Sequence, residues 1–174
     1  MKGWIASSGY WLVHLKNLKV EIVKISPPTI YKWFIAIMFF TIFLPVSKQI
    51  HFPFNLIGLV PFILGSYVAI DTKRMFKKTL TPLSHLATPV KLHTDGVFRF
   101  TRNPMYLGIS IGLAGIAILT GIIYNLVFSV SYLTIMHFFF VRREEEKLEN
   151  ELGESYQQYK KQTRRWLWQR DNPS

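Results

Sequence analysis

The amino-acid sequence predicts an all-α integral membrane protein with about four transmembrane helices, an N-terminal interfacial amphipathic helix and a cytosolic C-terminal helix. Nearly half of the 174 residues, 49%, are apolar, and the charged residues collect in blocks instead of spreading as they do over a soluble surface. Several apolar stretches approach or exceed the roughly 20 residues that a membrane span needs. A chain of this length is expected to form one domain.

The first predicted element is an amphipathic helix over residues 10–25. Its apolar residues recur at spacings of four and three, which places them on one face: Trp11, Leu15, Leu18, Ile22 and Ile25. Charged residues on the other faces make the segment too polar to span, so we expect it to lie in the interface. No cleavage site follows a short apolar core, so we expect this segment to belong to the mature protein.

The first two transmembrane helices are predicted over residues 29–48 and 52–70, which are apolar almost without interruption. Pro61 is expected to kink the second helix. Gly58 and Gly65 would let a neighbouring helix approach closely.

A second apolar stretch, residues 104–141, is too long for one helix across a bilayer. Its 38 residues would form a helix of about 57 Å, roughly twice the hydrocarbon thickness. We therefore predict a hairpin of two transmembrane helices, 104–121 and 124–141, with a turn in which Gly121 adopts the left-handed conformation.

Basic residues set the predicted orientation. The N-terminal segment holds five Lys and Arg residues, the predicted loop 71–103 holds seven and the predicted tail 142–170 holds eight, whereas the two opposite turns hold only Lys48. By the positive-inside rule, both termini are cytosolic, in a bacterial inner membrane or the endoplasmic reticulum. The net charge of +11 follows from this topology and favours anionic membrane lipids, not nucleic acid, as partners. The absence of cysteine and the spacing of the histidines predict no metal site.

Polar residues cluster at the mouth of the predicted hairpin, where a functional site is expected. One group precedes it and one follows it: Gly96, Arg99, Arg102, Asn103, Tyr106 and Gly108, then Glu144, Glu145 and Glu146. A hairpin brings its two ends together, so these groups are expected to line one pocket.

The run from Thr94 to Gly108 resembles the signature of the isoprenylcysteine carboxyl methyltransferase and phospholipid methyltransferase family, Gly-Pro-(Tyr/Phe)-Arg-x-x-Arg-His-Pro-x-Tyr-x-Gly. The second half of the chain is similar to the closing pattern of that family through Arg143-Glu144-Glu145, Leu152-Gly153, Tyr156, Tyr159 and Arg165-Trp166. The resemblance covers roughly residues 79–167. Asn103 stands where the family often has His, so this position cannot act as an acid or base.

The resemblance implies methyl transfer from S-adenosylmethionine to a lipophilic small molecule or lipid. It implies a cofactor site formed by Arg99, Arg102, Asn103, Tyr106, Gly108, Glu144, Glu145 and Tyr156, with Arg102 and Glu145 as the catalytic pair. Glutamate would hold the ammonium or ribose of the cofactor, while Arg102, Asn103 and the start of the helix at Pro104 would hold its carboxylate. The acceptor stays open among a prenylcysteine carboxylate, a phospholipid amine and a small hydrophobic thiol or phenol.

Other interpretations of the same residues remain open. Arg99 and Arg102 could snorkel toward the headgroups, and the glutamates could form a solvated helix face. His137 could be a packed histidine. The whole chain could be a non-catalytic membrane protein of the same fold or, because sterol reductases share a related C-terminal pattern, a nicotinamide-dependent reductase.

Overall fold

The structure, a computed structural model, describes residues 27–78 and 92–166, and these residues are helical with no β-strand among them. The amphipathic helix predicted over residues 10–25 lies outside the described residues. So do residues 79–91 of the predicted loop and residues 167–170 of the predicted tail.

Helix α1, Pro27–Phe40, continues as a 3-10 turn over Thr41–Phe43 and ends before the predicted boundary at residue 48. Leu44 then takes an extended conformation, with φ −79° and ψ 152°. The cause is Pro45, whose ring disfavours helical geometry in the residue before it.

Helix α2, Leu59–Lys78, follows a 3-10 turn over Phe54–Gly58. It continues past the predicted boundary at residue 70, so the first residues of the predicted loop 71–103 are helical. The residues beyond Asp71 are mostly good helix formers, and their charges mark a change of surroundings without ending the helix.

Helix α3, Pro104–Leu119, begins as predicted, with proline at its first position, where no backbone donor is needed. The turn after it contains Gly121 with φ 76°, which confirms the predicted left-handed glycine. The Gly121 carbonyl accepts hydrogen bonds from the amides of Gln49 and Ile50, at 2.9 and 3.1 Å. This turn is therefore joined to the connection between α1 and α2.

Helix α4, Leu126–Ile135, passes into a π-turn over Met136–Val141 and then into α5, Arg142–Leu152, without a break. The predicted boundary at residue 141 therefore does not end a helix. Gly153, with φ 53°, ends α5, and α6 spans Glu154–Gln162.

Two helical stretches are long and apolar enough to cross a membrane, Phe54–Lys77 and Ile123–Leu152, and the shorter helices at Pro27–Phe43 and Pro104–Leu119 are also apolar. The outer face of α2 exposes large apolar side chains, with Ile63 60% and Tyr67 62% accessible. Contiguous apolar surface of this kind is rare on soluble monomers and is expected where lipid is the solvent.

Glycines bring the backbones of α2 and α3 into contact, as the sequence predicts for Gly58 and Gly65. A Cβ atom on Gly58 would lie 2.6 Å from the Gly115 carbonyl oxygen, and one on Gly108 would lie 2.7 Å from the Gly65 carbonyl oxygen. Such close approach is typical of helix pairs in membranes, where small residues replace the hydrophobic effect as the source of packing energy.

Reciprocal hydrogen bonds join α3 to α4 in the buried interior. The Ser110 hydroxyl donates to the Ser129 carbonyl at 2.9 Å, and the Ser129 hydroxyl donates to the Ser110 carbonyl at 2.7 Å. Each hydroxyl thus has a partner in surroundings that supply little water. The three helices α2, α3 and α4 form a fixed frame for the end of the hairpin.

The glycine contact can be tested with one methyl group. We expect Gly65→Ala to destabilise the protein by about 1–3 kcal/mol, because the added Cβ would overlap the Gly108 carbonyl and the Gly112 amide of α3. Gly112→Ala is the control, since its Cβ would meet no atom within 4 Å. Thermal unfolding in detergent measures both variants, and equal unfolding temperatures would contradict the glycine contact.

Candidate active site

A buried carboxylate between two arginines lies at the entrance to the hairpin. Glu145 Oε1 lies 3.3 Å from Arg102 Nη2, and Glu145 Oε2 lies 2.5 Å from Arg165 Nη2 and 3.0 Å from Arg165 Nε. The Glu145 side chain is only 6% exposed and that of Arg102 10%. The hydrogen bond to Glu145 raises the pKa of Arg165.

The π-turn explains why Glu145 points inward. Buried positions on α4 follow ordinary helical spacing through Ser129, Tyr132 and Met136, and the series then continues at Val141 and Glu145. The step of five residues from Met136 to Val141 is the width of one π-turn. The turn therefore carries the buried face of α4 onto Glu145.

Arg102 is held by the chain segment that follows α6. The Arg102 amide donates to the Arg164 carbonyl at 3.1 Å, and the Arg165 carbonyl accepts from Thr101 Oγ1 at 2.9 Å and from Asn103 Nδ2 at 3.3 Å. The ring of Trp166 lies 5.8 Å from that of His137 on the π-turn. The segment is thus fixed to both sides of the hairpin entrance.

A second carboxylate, Glu144, has different surroundings. It accepts a hydrogen bond of 2.7 Å from the Tyr106 hydroxyl at the start of α3. No basic side chain among the described residues pairs with it, because the arginines next to it are both directed at Glu145. The half-buried Glu144 is therefore a negative charge without a cationic partner.

Arg102 has donors to spare. Its Nε and Nη1 atoms are buried and have no hydrogen-bond partner among the described residues. A buried charged donor without a partner is costly, and in a native protein it calls for an explanation such as a bound ligand. An anionic group placed beside Arg102 would satisfy both atoms.

Aromatic residues on the outer side of the site fix α6 beneath it. The Tyr159 hydroxyl donates to the Phe98 carbonyl at 2.7 Å, and Tyr156 is 1% exposed. Burial raises the pKa of Tyr156 and of Tyr159, so both phenols stay neutral over the physiological range. Both are available as neutral hydrogen-bonding or stacking groups.

Most of the residues predicted for the site are brought together. Arg102, Asn103, Tyr106, Glu144 and Glu145 lie at one end of the hairpin, and the charges of Arg102 and Glu145 reach the hydroxyl of Tyr156.

Two predicted residues lie elsewhere. Arg99 is exposed at the end of the 3-10 turn Gly96–Arg99, and Gly108 lies against the backbone of α2. The sequence prediction omitted Arg165 and Thr101 from the site. The Arg-Trp pair in the closing pattern was the available signal for Arg165.

The ion pairs of Glu145 predict a large effect on folding. We expect Glu145→Ala to lower the free energy of unfolding by about 3–5 kcal/mol, because it leaves Arg102 buried without its counter-charge. Glu149→Ala removes a carboxylate from a more exposed pair with Lys160 and should cost at most about 1 kcal/mol. Thermal or denaturant unfolding of both variants measures the difference, and equal losses would show that Glu145 is not a buried structural charge.

Comparison with known proteins adds one finding. The sequence profile described as phospholipid methyltransferase matches residues 54–155, which is more than half of the chain. The match includes α2, the hairpin and the carboxylates Glu144 and Glu145, and it ends before Arg165. No curated protein and no solved structure matches the chain. The chain belongs to the phospholipid methyltransferase family.

Proposed function

We propose that the protein is an S-adenosylmethionine-dependent methyltransferase that acts on a lipophilic acceptor at the cytosolic membrane interface. The observation that carries this proposal is the buried Arg102 guanidinium, with two donors free, next to the unpaired carboxylate of Glu144. When bound, S-adenosylmethionine supplies an activated methyl group and leaves as a neutral thioether. The residues present fit its amino-acid end, which carries one carboxylate and one ammonium.

Each charged side chain has a distinct part in this proposal. Arg102 Nε and Nη1 bind the carboxylate, and Glu144 binds the ammonium. Glu145 is already engaged by two arginines, so we propose that it acts by holding Arg102 in place. Asn103 keeps the tail segment against Arg102, and Tyr156 lies where it can contact the adenosine.

The family and the apolar helices place the protein at a membrane, and we propose that all four apolar helices cross it with the site on the cytosolic side. The distribution of Lys and Arg supports this orientation. The site then lies at the level of the headgroups, with the acceptor entering from the lipid. Alignment of the acceptor with the methyl group supplies most of the rate enhancement, because the leaving group needs no acid.

Among the acceptor classes, the charge of the site favours an amine. Glu144 brings a negative charge without a cationic partner, which would repel a carboxylate acceptor and attract an ammonium headgroup. An amine must also lose a proton before or during attack, and a carboxylate within reach can take it. We therefore propose a lipid amine as the acceptor.

Binding of the methyl donor site can be measured with S-adenosylhomocysteine. We expect the purified protein to bind it in isothermal titration, and Arg102→Lys to bind at least about tenfold more weakly, because lysine keeps the charge but not the forked donors. Arg164→Lys is the control, since that side chain is exposed. Binding of NADPH instead of S-adenosylhomocysteine would replace this proposal with a reductase, and binding of neither would favour a non-catalytic protein.

The acceptor class can be read from the product. Membranes containing the protein, incubated with methyl-labelled S-adenosylmethionine, should yield a labelled lipid that survives mild alkali, because an N-methyl bond is stable where a methyl ester is hydrolysed. Membranes with the Arg102→Lys variant are the control for background transfer. Release of the label as methanol would contradict the amine and indicate a carboxylate acceptor.

A further inference from the structure

A buried tyrosine hydroxyl without a partner lies inside the helical bundle, deeper than the charged site. Tyr132 on α4 is 0% exposed, and its hydroxyl has no hydrogen-bond partner among the described residues. Buried polar groups in proteins are nearly always paired, and the interior of a membrane offers little water to replace a missing partner. The hydroxyl is thus available to a molecule that enters the bundle.

The ring of Tyr132 is fixed while its hydroxyl is free. Tyr31 and Phe34 of α1 pack edge-on against it, with ring centroids 6.4 and 5.8 Å away. Tyr106 and Met136 belong to the same buried cluster. Aromatic contacts from two neighbouring helices therefore hold the hydroxyl at one position at the boundary between α1 and α4.

The π-turn aligns Tyr132 with the charged site. Twelve residues separate Tyr132 from Glu144, and a regular α-helix would place them about 120° apart around its axis. The π-turn over Met136–Val141 takes up one additional residue, which reduces the angle to about 20°. The two side chains are close enough to interact electrostatically. Tyr132 therefore lies on the same face as Glu144 but further from the polar end.

We propose that the Tyr132 hydroxyl is a specificity-determining group that donates a hydrogen bond to an ester carbonyl of a glycerolipid acceptor. This proposal rests on the proposed function. In a lipid lying along the boundary between α1 and α4, the amine is outermost and reaches Glu144, whereas the ester carbonyls lie deeper, at the level of Tyr132. The hydrogen bond sets the depth of the lipid and so places its amine in line with the methyl group.

The test compares a diacyl phosphatidylethanolamine with its dialkyl ether analogue, which lacks the ester carbonyls. Both are presented in phosphatidylglycerol vesicles with labelled S-adenosylmethionine. We expect Tyr132→Phe to raise KM for the diacyl lipid about tenfold, the size of one hydrogen bond, and to leave KM for the ether lipid unchanged. Tyr67→Phe, which changes a tyrosine 62% exposed on the outer face of α2, should alter neither value.

The outcomes separate this proposal from the one on which it rests. Failure of the unaltered protein to bind S-adenosylhomocysteine would overturn the proposed function itself. If the protein binds it and Tyr132→Phe changes both lipids equally or neither, the role of Tyr132 is wrong; absence of transfer to both lipids also overturns it. Removal of an unpaired hydroxyl should leave the unfolding temperature unchanged or higher, so loss of fold does not confuse the result.

Discussion

The structure at the hairpin entrance depends on the charge of Glu145. A carboxylate that is almost fully buried loses its hydration, and here two guanidinium groups compensate for that loss. The two arginines come from opposite ends of the described sequence after α2: Arg102 precedes α3 and Arg165 follows α6. One buried charge thus fixes three chain segments in a single arrangement. It leaves an excess of positive charge at Arg102, which suits an anionic ligand.

The position of that charge depends on contacts deeper in the bundle. Glycines hold α2 against α3, and the serine pair holds α3 against α4, so the hairpin cannot rotate freely. The π-turn then changes the register of the helix by one residue before it reaches the glutamates. Without that change, the face that packs against α3 would continue along a different line of residues, and Glu145 would not meet Arg102.

Much of this arrangement could be predicted because the sequence marks it with unusual residues. Pro104 begins α3 and Gly121 turns the chain, and motifs at both ends of an apolar hairpin must meet. The π-turn could not be predicted, because nearly every residue in Met136–Val141 is apolar and no polar face reveals a shift in register. The continuation of the helix beyond Val141 was missed for a related reason: the arrival of charge indicates the membrane surface, whereas a helix ends only where its backbone must, as at Gly153.

The location of the site follows from the two kinds of molecule that the proposed reaction joins. A charged methyl donor arrives from water and a lipid arrives from the bilayer, so the reacting atoms can meet only where a polar and an apolar surface adjoin. At that boundary, the charges of Arg102 and Glu144 act through less water than at an open surface, which strengthens their hold on the donor. The same helix that carries Glu144 carries Tyr132 toward the lipid. A single hairpin can therefore orient both partners, provided that its register is fixed.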